Sequence, residues 1–296
     1  MKKLGRLLTA MVTPFKESGE VDYEQARKLA LALLDSGCDG VVVAATTGEA
    51  PTLTWEEELR LFQEVKSAVG DRGTLVAYTG SNSTAEAVEA TKGAEKIGVD
   101  ACLSVVPYYN RPTQEGIYQH FKTIAEATSL PIIMYNIPSR VVVNMTAETI
   151  VRLSQIDNIV GVKEANGDMA HAAQVISNAR EGFNVWSGND NDTFLIMALG
   201  GYGTIGVVTH LVGKQVKKMM DDVLNNDVQS AAAIHRHLVP LVNVLFIQPN
   251  PGPVKYALNH VGFRVGPPRL PLLPPDEKAA AQIVETVKKY RIDLKV

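Results

Sequence analysis

The chain has 296 residues, of which 46% are hydrophobic and 21% charged, a make-up that excludes disorder and collagen-like repeats. Its 29 Lys and Arg against 32 Asp and Glu leave a net charge of -3 with no long block of one sign, which argues against nucleic acid as a partner. No stretch of ~18 uninterrupted apolar residues exists, so no membrane partner is expected. The charged start, Met1-Lys-Lys-Leu-Gly-Arg-Leu-Leu, runs into Thr13-Pro14 before a signal-peptide core is complete. Cys38 and Cys102 lie far apart in apolar surroundings and read as reduced core thiols of a cytoplasmic protein.

Eight short apolar runs follow one another along the chain: Arg6–Val12, Gly40–Ala44, Thr74–Tyr78, Ala101–Val106, Ile132–Tyr135, Ile159–Val162, Asn184–Ser187 and Gly203–Val207. Most are continuously apolar, as parallel strands covered on both faces should be. Between them lie segments with three-to-four-residue apolar spacing, such as Tyr23–Leu34 and Trp55–Val69, which predict helices. Thr54 with Glu57 forms a capping-box pattern, and Ser83 and Thr146 stand at similar helix starts. The spacing is roughly 28 residues per unit, about one parallel crossover each. This predicts an α/β fold, a (β/α)8 TIM barrel with a C-terminal helical extension; an open doubly wound sheet stays possible. The barrel is expected over residues 1–225, with Val212–Leu224 as its last helix. Val228–Phe246, Pro253–Val261 and Pro275–Tyr290 predict a helical region over 226–296.

In such a barrel, chemistry gathers where the strands end. Lys163 follows the apolar run Ile159-Val-Gly-Val, so its stem should lie along a packed strand. Burial disfavours an ammonium, and a neutral amine can attack a ketone to form a Schiff base. The plainer reading pairs Lys163 with Glu164 or Asp190. Tyr135 closes the neighbouring run and could approach the amine as an acid/base group, with Thr46 and Tyr109 as further hydroxyls. Its plainer reading is an interior tyrosine bonded to a backbone carbonyl. Thr46-Thr47-Gly48 forms a turn suited to a small carboxylate. Arg140, five residues after Tyr135, can grip a second carboxylate through its planar fork or make a surface salt bridge.

Other patterns are weaker. Gly201-Tyr-Gly-Thr-Ile-Gly206 fits a dinucleotide fingerprint, but an apolar run follows its glycines where a helix should open. His235 and His237 do not share a helix face. His120, His171, His210 and His260 are scattered, and only His210 stands near a strand end, so no metal is expected.

The runs Thr46-Thr-Gly-Glu49, Tyr108-Tyr-Asn-Arg-Pro112, Tyr135-Asn-Ile-Pro-Ser-Arg140 and Gly161-Val-Lys-Glu-Ala165, with Ser187-Gly188 and Pro253-Val-Lys255, extend the pattern over nearly the whole chain. In their order and spacing the chain resembles the dihydrodipicolinate synthase family of pyruvate-dependent Schiff-base aldolases, which also holds N-acetylneuraminate lyase. The resemblance implies a lyase that condenses pyruvate with aspartate semialdehyde in lysine and diaminopimelate synthesis, without a cofactor. It implies that Lys163 forms the imine and that Tyr135, Thr46 and Tyr109 relay protons. Thr47 and the backbone at Ile205 would hold the pyruvate carboxylate, Arg140 the semialdehyde, and Gly188 belongs with the substrate-binding residues. It also implies a homotetramer of two tight dimers, with Tyr109 acting in a neighbouring subunit. Ala45 stands where the family commonly has glycine, and Asn189 where aspartate is common. Trp55, Glu58, Asn82, Glu86 and Tyr108 fall in the region that shapes a lysine-feedback pocket in regulated members.

Three rivals differ in chemistry. A sugar-acid aldolase of the 2-keto-3-deoxy acid or N-acetylneuraminate type keeps the Schiff base and changes the acceptor. A pyridoxal phosphate enzyme would use Lys163 but needs a phosphate cradle, for which only Gly200-Gly201 offers itself. A keto-acid sensor would have no need for the Tyr–Thr–Tyr hydroxyls.

Overall fold

The computed structural model describes residues 4–295. Eight strands, β1 (Leu7–Ala10), β2 (Gly40–Val43), β3 (Thr74–Tyr78), β4 (Ala101–Val105), β5 (Ile132–Asn136), β6 (Ile159–Glu164), β7 (Asn184–Ser187) and β8 (Gly203–Gly206), close into a barrel in chain order. Closure removes the open-sheet alternative and makes the fold a TIM barrel with additional C-terminal helices. Every strand matches its apolar run to within two residues at either end. Two differences matter: β5 runs on through Asn136, and β6 through Lys163 and Glu164, so the polar residues after the apolar runs are still strand.

Contacts divide the chain into two compact units. One holds Val76–Ile205 with the chain up to Arg6. Here α3 (Thr84–Ile97) leads into β4, and β4, β5, β6 and β7 pair in parallel, each followed by helix: α4 (Gln114–Glu126) after β4, α5 (Pro138–Val141) and α6 (Ala147–Leu153) after β5, α7 (Met169–Asn178) after β6 and α8 (Thr193–Ala198) after β7. Trp186 of β7 is fully buried and donates its indole N–H to the Gly5 carbonyl at 3.1 Å. Gly161 is required beside it: a Cβ there would stand 2.3 Å from the Asn184 carbonyl oxygen and 2.5 Å from the Trp186 ring.

The other unit holds Leu7–Leu75 and, among the described residues, 206–295. β1 and β2 pair in parallel, and α1 (Tyr23–Asp35) packs its Ala26, Leu29, Ala30 and Leu33 inward, as the spacing predicts. α2 (Trp55–Val69) opens with the reciprocal Thr54–Glu57 capping box. The C-terminal helices are α9 (Thr209–Leu224), α10 (Val228–Leu245), α11 (Gly252–His260) and α12 (Glu277–Val287). α9 starts three residues before the predicted Val212 and kinks there, where Val212 leaves helical geometry. Among the described residues no helix is long and apolar enough to cross a membrane.

Candidate active site

Lys163 sits on β6 in register with Tyr135 of β5, and its Nζ lies 4.3 Å from the centre of the Tyr135 ring. Both side chains are buried, at 4% and 3% exposure. Gly188 makes room for the lysine stem, since a Cβ there would meet Lys163 Cγ at 3.1 Å and Ala165 Cβ at 2.7 Å. Its N–H donates to the Glu164 carbonyl at 2.6 Å, fixing the β7 end against β6.

The amine has no ion pair among the described residues. Glu164, one candidate partner, is committed elsewhere. Its two carboxylate oxygens accept from Asn136 Nδ2 at 3.0 and 3.1 Å, and Oε1 also accepts from the Asn166 N–H at 2.9 Å. His171 Nε2 stands 3.1 Å from Oε2 without the alignment of a hydrogen bond. Asp190, the other candidate, makes no ion pair with Lys163 among the described residues and reaches the amine through its field. Burial pulls the Lys163 ammonium from 10.5 down to about 8; the negative charge of Asp190 opposes this and the positive charge of Arg140 assists it. At pH 7 roughly a tenth of such amines are neutral, against about one in three thousand for an ordinary lysine.

Arg140 sits exposed on the short α5 and makes no ion pair among the described residues, so its fork is open to a carboxylate. The segment that carries it is pinned from behind. Asn136 Nδ2 bonds Asn144 Oδ1 at 2.8 Å, Asn136 Oδ1 accepts from the Met145 N–H at 3.0 Å, and Gln114 Oε1 accepts from the Thr146 N–H at 3.0 Å. Tyr109 follows β4 at 89% exposure, with a left-handed φ of 72° and no hydrogen bond among the described residues.

In the other unit, Thr46, Thr47, Gly48 and Glu49 form the turn after β2, closed by the Glu49 N–H bonding the Thr46 carbonyl at 3.1 Å. Glu49 takes a left-handed φ of 61°, a strained backbone that needs anchoring. The anchor comes from the C-terminal helices. Lys255 of α11 donates to Glu49 Oε1 at 2.7 Å with both side chains at 1% exposure or less. Its ammonium also lies 4.1 Å from the Phe15 ring centre and donates to the Pro267 carbonyl at 3.0 Å. Arg269 donates its backbone N–H to Glu49 Oε2 at 2.8 Å while its guanidinium forks onto Glu57 at 2.6 and 2.8 Å. Asn250 Nδ2 donates to Thr47 Oγ1 at 2.9 Å, and Thr13 Oγ1 donates to the Gly48 carbonyl at 2.6 Å. Ile205, the last residue of the first unit, is fully buried on β8.

Glu49, Asn250, Lys255 and Asn136 drew no individual role from the sequence, and Glu164 only that of an ion-pair partner for Lys163. The signal for the last two was present: they follow Tyr135 and Lys163 directly, and the two strands pair them in register.

The remaining candidates are structural. His210 is fully buried; its Nε2 accepts from the Val12 N–H at 3.1 Å and Nδ1 bonds the Val207 carbonyl at 2.8 Å. Burial holds its pKa down at about 4, so it is a neutral tie between backbones with no nitrogen free for a metal. Three of the glycines in the 201–206 pattern lie before or within β8, with no helix opening among them, which removes the dinucleotide context. Cys38 and Cys102 are free and buried, their thiols pushed up to about 11 and 12.

A buried, unpaired strand amine beside a tyrosine is the arrangement that Schiff-base chemistry needs. Comparison with known proteins identifies the family. Residues 3–290 match the model of the dihydrodipicolinate synthetase family. The chain is 63% identical over 296 residues to the 4-hydroxy-tetrahydrodipicolinate synthase of Dehalococcoides mccartyi, covering all of both chains. Among solved structures it superposes on the dihydrodipicolinate synthase of Bacillus anthracis with a TM-score of 0.96 at 42% identity, covering 98% of this chain and 100% of that one. The lysine-bound enzyme of Cyanidioschyzon merolae gives 0.95 at 44% identity, covering 96% and 97%. The chain belongs to the dihydrodipicolinate synthetase family.

Proposed function

We propose that this enzyme is a lyase that condenses pyruvate with L-aspartate 4-semialdehyde to 4-hydroxy-tetrahydrodipicolinate, in the synthesis of diaminopimelate and lysine. The observation that carries the reading is Lys163: a buried strand amine with a lowered pKa, no ion pair and a tyrosine in register beside it.

The neutral amine attacks the pyruvate ketone, and the carbinolamine loses water to give a protonated imine. That imine is the electron sink for loss of a methyl proton, so the chemistry asks for no organic cofactor or metal. The resulting enamine attacks the semialdehyde aldehyde carbon. The substrate amine then displaces Lys163 as the ring closes, which returns the free lysine.

Water loss and proton removal need a group that gives and takes protons near the imine. We assign this to Tyr135, with Thr46 and Tyr109 as relay partners. The high exposure of Tyr109 suits a side chain that acts in a neighbouring copy, within a homotetramer of two tight dimers. Thr47 and the backbone at Ile205 take the pyruvate carboxylate, Arg140 takes the semialdehyde carboxylate, and Gly188 belongs with these substrate-binding residues beside the Lys163 stem. A biosynthetic enzyme with these soluble substrates belongs in the cytoplasm.

A coupled assay tests the assignment. Turnover with pyruvate and aspartate semialdehyde supports it. Cleavage of 2-keto-3-deoxy sugar acids or N-acetylneuraminate, with no turnover of the semialdehyde, contradicts it.

A further inference from the structure

We infer that Asn250 is a positioning residue that sets which way the Thr47 hydroxyl donates, and thereby tunes the affinity for the keto-acid carboxylate. The inference rests on the proposed carboxylate role of Thr47.

The geometry is confined to one unit. Asn250 and Thr47 are buried, at 5% and 4% exposure, and Asn250 Nδ2 lies 2.9 Å from Thr47 Oγ1. An amide nitrogen can only donate, so this bond fills an acceptor position on the hydroxyl. Among the described residues the hydroxyl has no acceptor for its own proton. A carboxylate offers acceptors only, and a hydroxyl that receives a hydrogen bond donates a stronger one. The pair therefore forms a one-way chain, from amide to hydroxyl to an incoming anion.

The rest of the turn is already fixed. Thr13 holds the Gly48 carbonyl, while Lys255 and the Arg269 N–H hold the Glu49 carboxylate. Rotation of the Thr47 hydroxyl is the freedom these bonds leave, and Asn250 narrows it by taking one acceptor position and turning the proton away from itself. Asn250 is itself placed from the C-terminal side: it precedes α11, whose Lys255 N–H bonds the Pro251 carbonyl at 3.0 Å. Among the described residues its Oδ1 is buried without a hydrogen-bond partner, and the Nδ2 bond to Thr47 is the hydrogen bond its side chain makes.

The test is a double-mutant cycle on the full-length enzyme, read as pyruvate KM against kcat. N250A should raise the pyruvate KM about five- to tenfold, the loss of roughly one hydrogen bond. It should leave kcat and the semialdehyde KM within about twofold, a split that a general loss of structure would not give. In the T47V background N250A should change the pyruvate KM by less than about twofold, because the hydroxyl it orients is gone. N250D keeps the size of the side chain but accepts the Thr47 proton; it should raise the pyruvate KM well above N250A. Should N250A fail to fold, N250D carries the cycle, with a rise at least about fivefold larger with Thr47 present than with T47V. An equal effect of Asn250 replacement in both backgrounds overturns the proposal. If T47V raises the pyruvate KM while Asn250 replacement does not, Asn250 has no such role and the reading of Thr47 stands. If T47V itself leaves the pyruvate KM unchanged, the carboxylate role fails and the inference falls with it.

Discussion

Lys163 Nζ lies 4.3 Å from the ring centre of Tyr135, its register partner on the next strand, with both side chains buried. The tyrosine face is an apolar wall with a mild attraction for a cation. Burial outweighs that attraction and the field of Asp190, because the net shift of the amine is downward, to about 8.

The pH dependence follows from the sign of that shift. The proposed nucleophile is the deprotonated amine, so imine formation should rise with pH and level off above about 8. Single-turnover trapping of pyruvate between pH 6 and 9.5 measures this. A rate independent of pH across that range contradicts it.

The same shift destabilises the fold. The folded lysine releases its proton at about 8 and the unfolded one near 10.5, so between these values the unfolded chain binds more protons and stability rises with pH. Below about 8 the full penalty remains, on the order of 3 kcal/mol. K163M should therefore be inactive yet more stable than the parent at pH 7, by up to ~3 kcal/mol in denaturant unfolding. A less stable K163M would mean that the ammonium is better solvated than its burial implies.

Arg140 is exposed and unpaired among the described residues, so R140A should leave the melting temperature nearly unchanged. It should cut kcat/KM for the semialdehyde by about a hundredfold, the loss of a charge-assisted fork, and spare the high-pH plateau of pyruvate imine formation. It also removes a positive charge that lowers the Lys163 pKa, so the rising limb of the pH profile should move upward. Equal losses for both substrates would assign Arg140 a different role.

Gly188 leaves the space that the lysine stem fills. A Cβ at this position meets Ala165 Cβ at 2.7 Å and Lys163 Cγ at 3.1 Å, and Ala165 lies on rigid chain just after β6. G188A should reduce pyruvate trapping by at least about tenfold, because small displacements of a nucleophile are costly. Unchanged trapping would show that β6 and β7 can part without moving the amine.

Lys255 and Glu49 are a buried pair, and removing one partner leaves the other charge uncompensated. K255M should cost about 3–5 kcal/mol in unfolding free energy. The damage should reach the Thr47-Gly48 turn and raise the pyruvate KM. A loss below about 1 kcal/mol would indicate that water enters to solvate Glu49.

The strands were legible in the sequence because parallel strands covered on both faces are continuous apolar runs, and Lys163 was legible because it interrupts one. Helix α9 starts earlier than its pattern shows, since Thr209-His-Leu precedes a kink and carries no helical spacing. The Glu49–Lys255 and Thr47–Asn250 contacts join residues more than two hundred positions apart, and no local pattern reports such a pairing. Lys255 in particular sits among Pro253, Val254, Tyr256, Ala257 and Leu258, where its charge looks incidental until the fold brings Glu49 to it. The Asn136–Glu164 pair lay closer to view, one residue beyond each site residue, and was hidden only because both strands run further than their apolar stretches.

Borohydride reduction in the presence of pyruvate, followed by peptide mass mapping, asks the central question directly. One reduced pyruvate adduct per chain is expected, on Lys163, and none on K163M. An adduct on another lysine, or no adduct with an active enzyme, contradicts it.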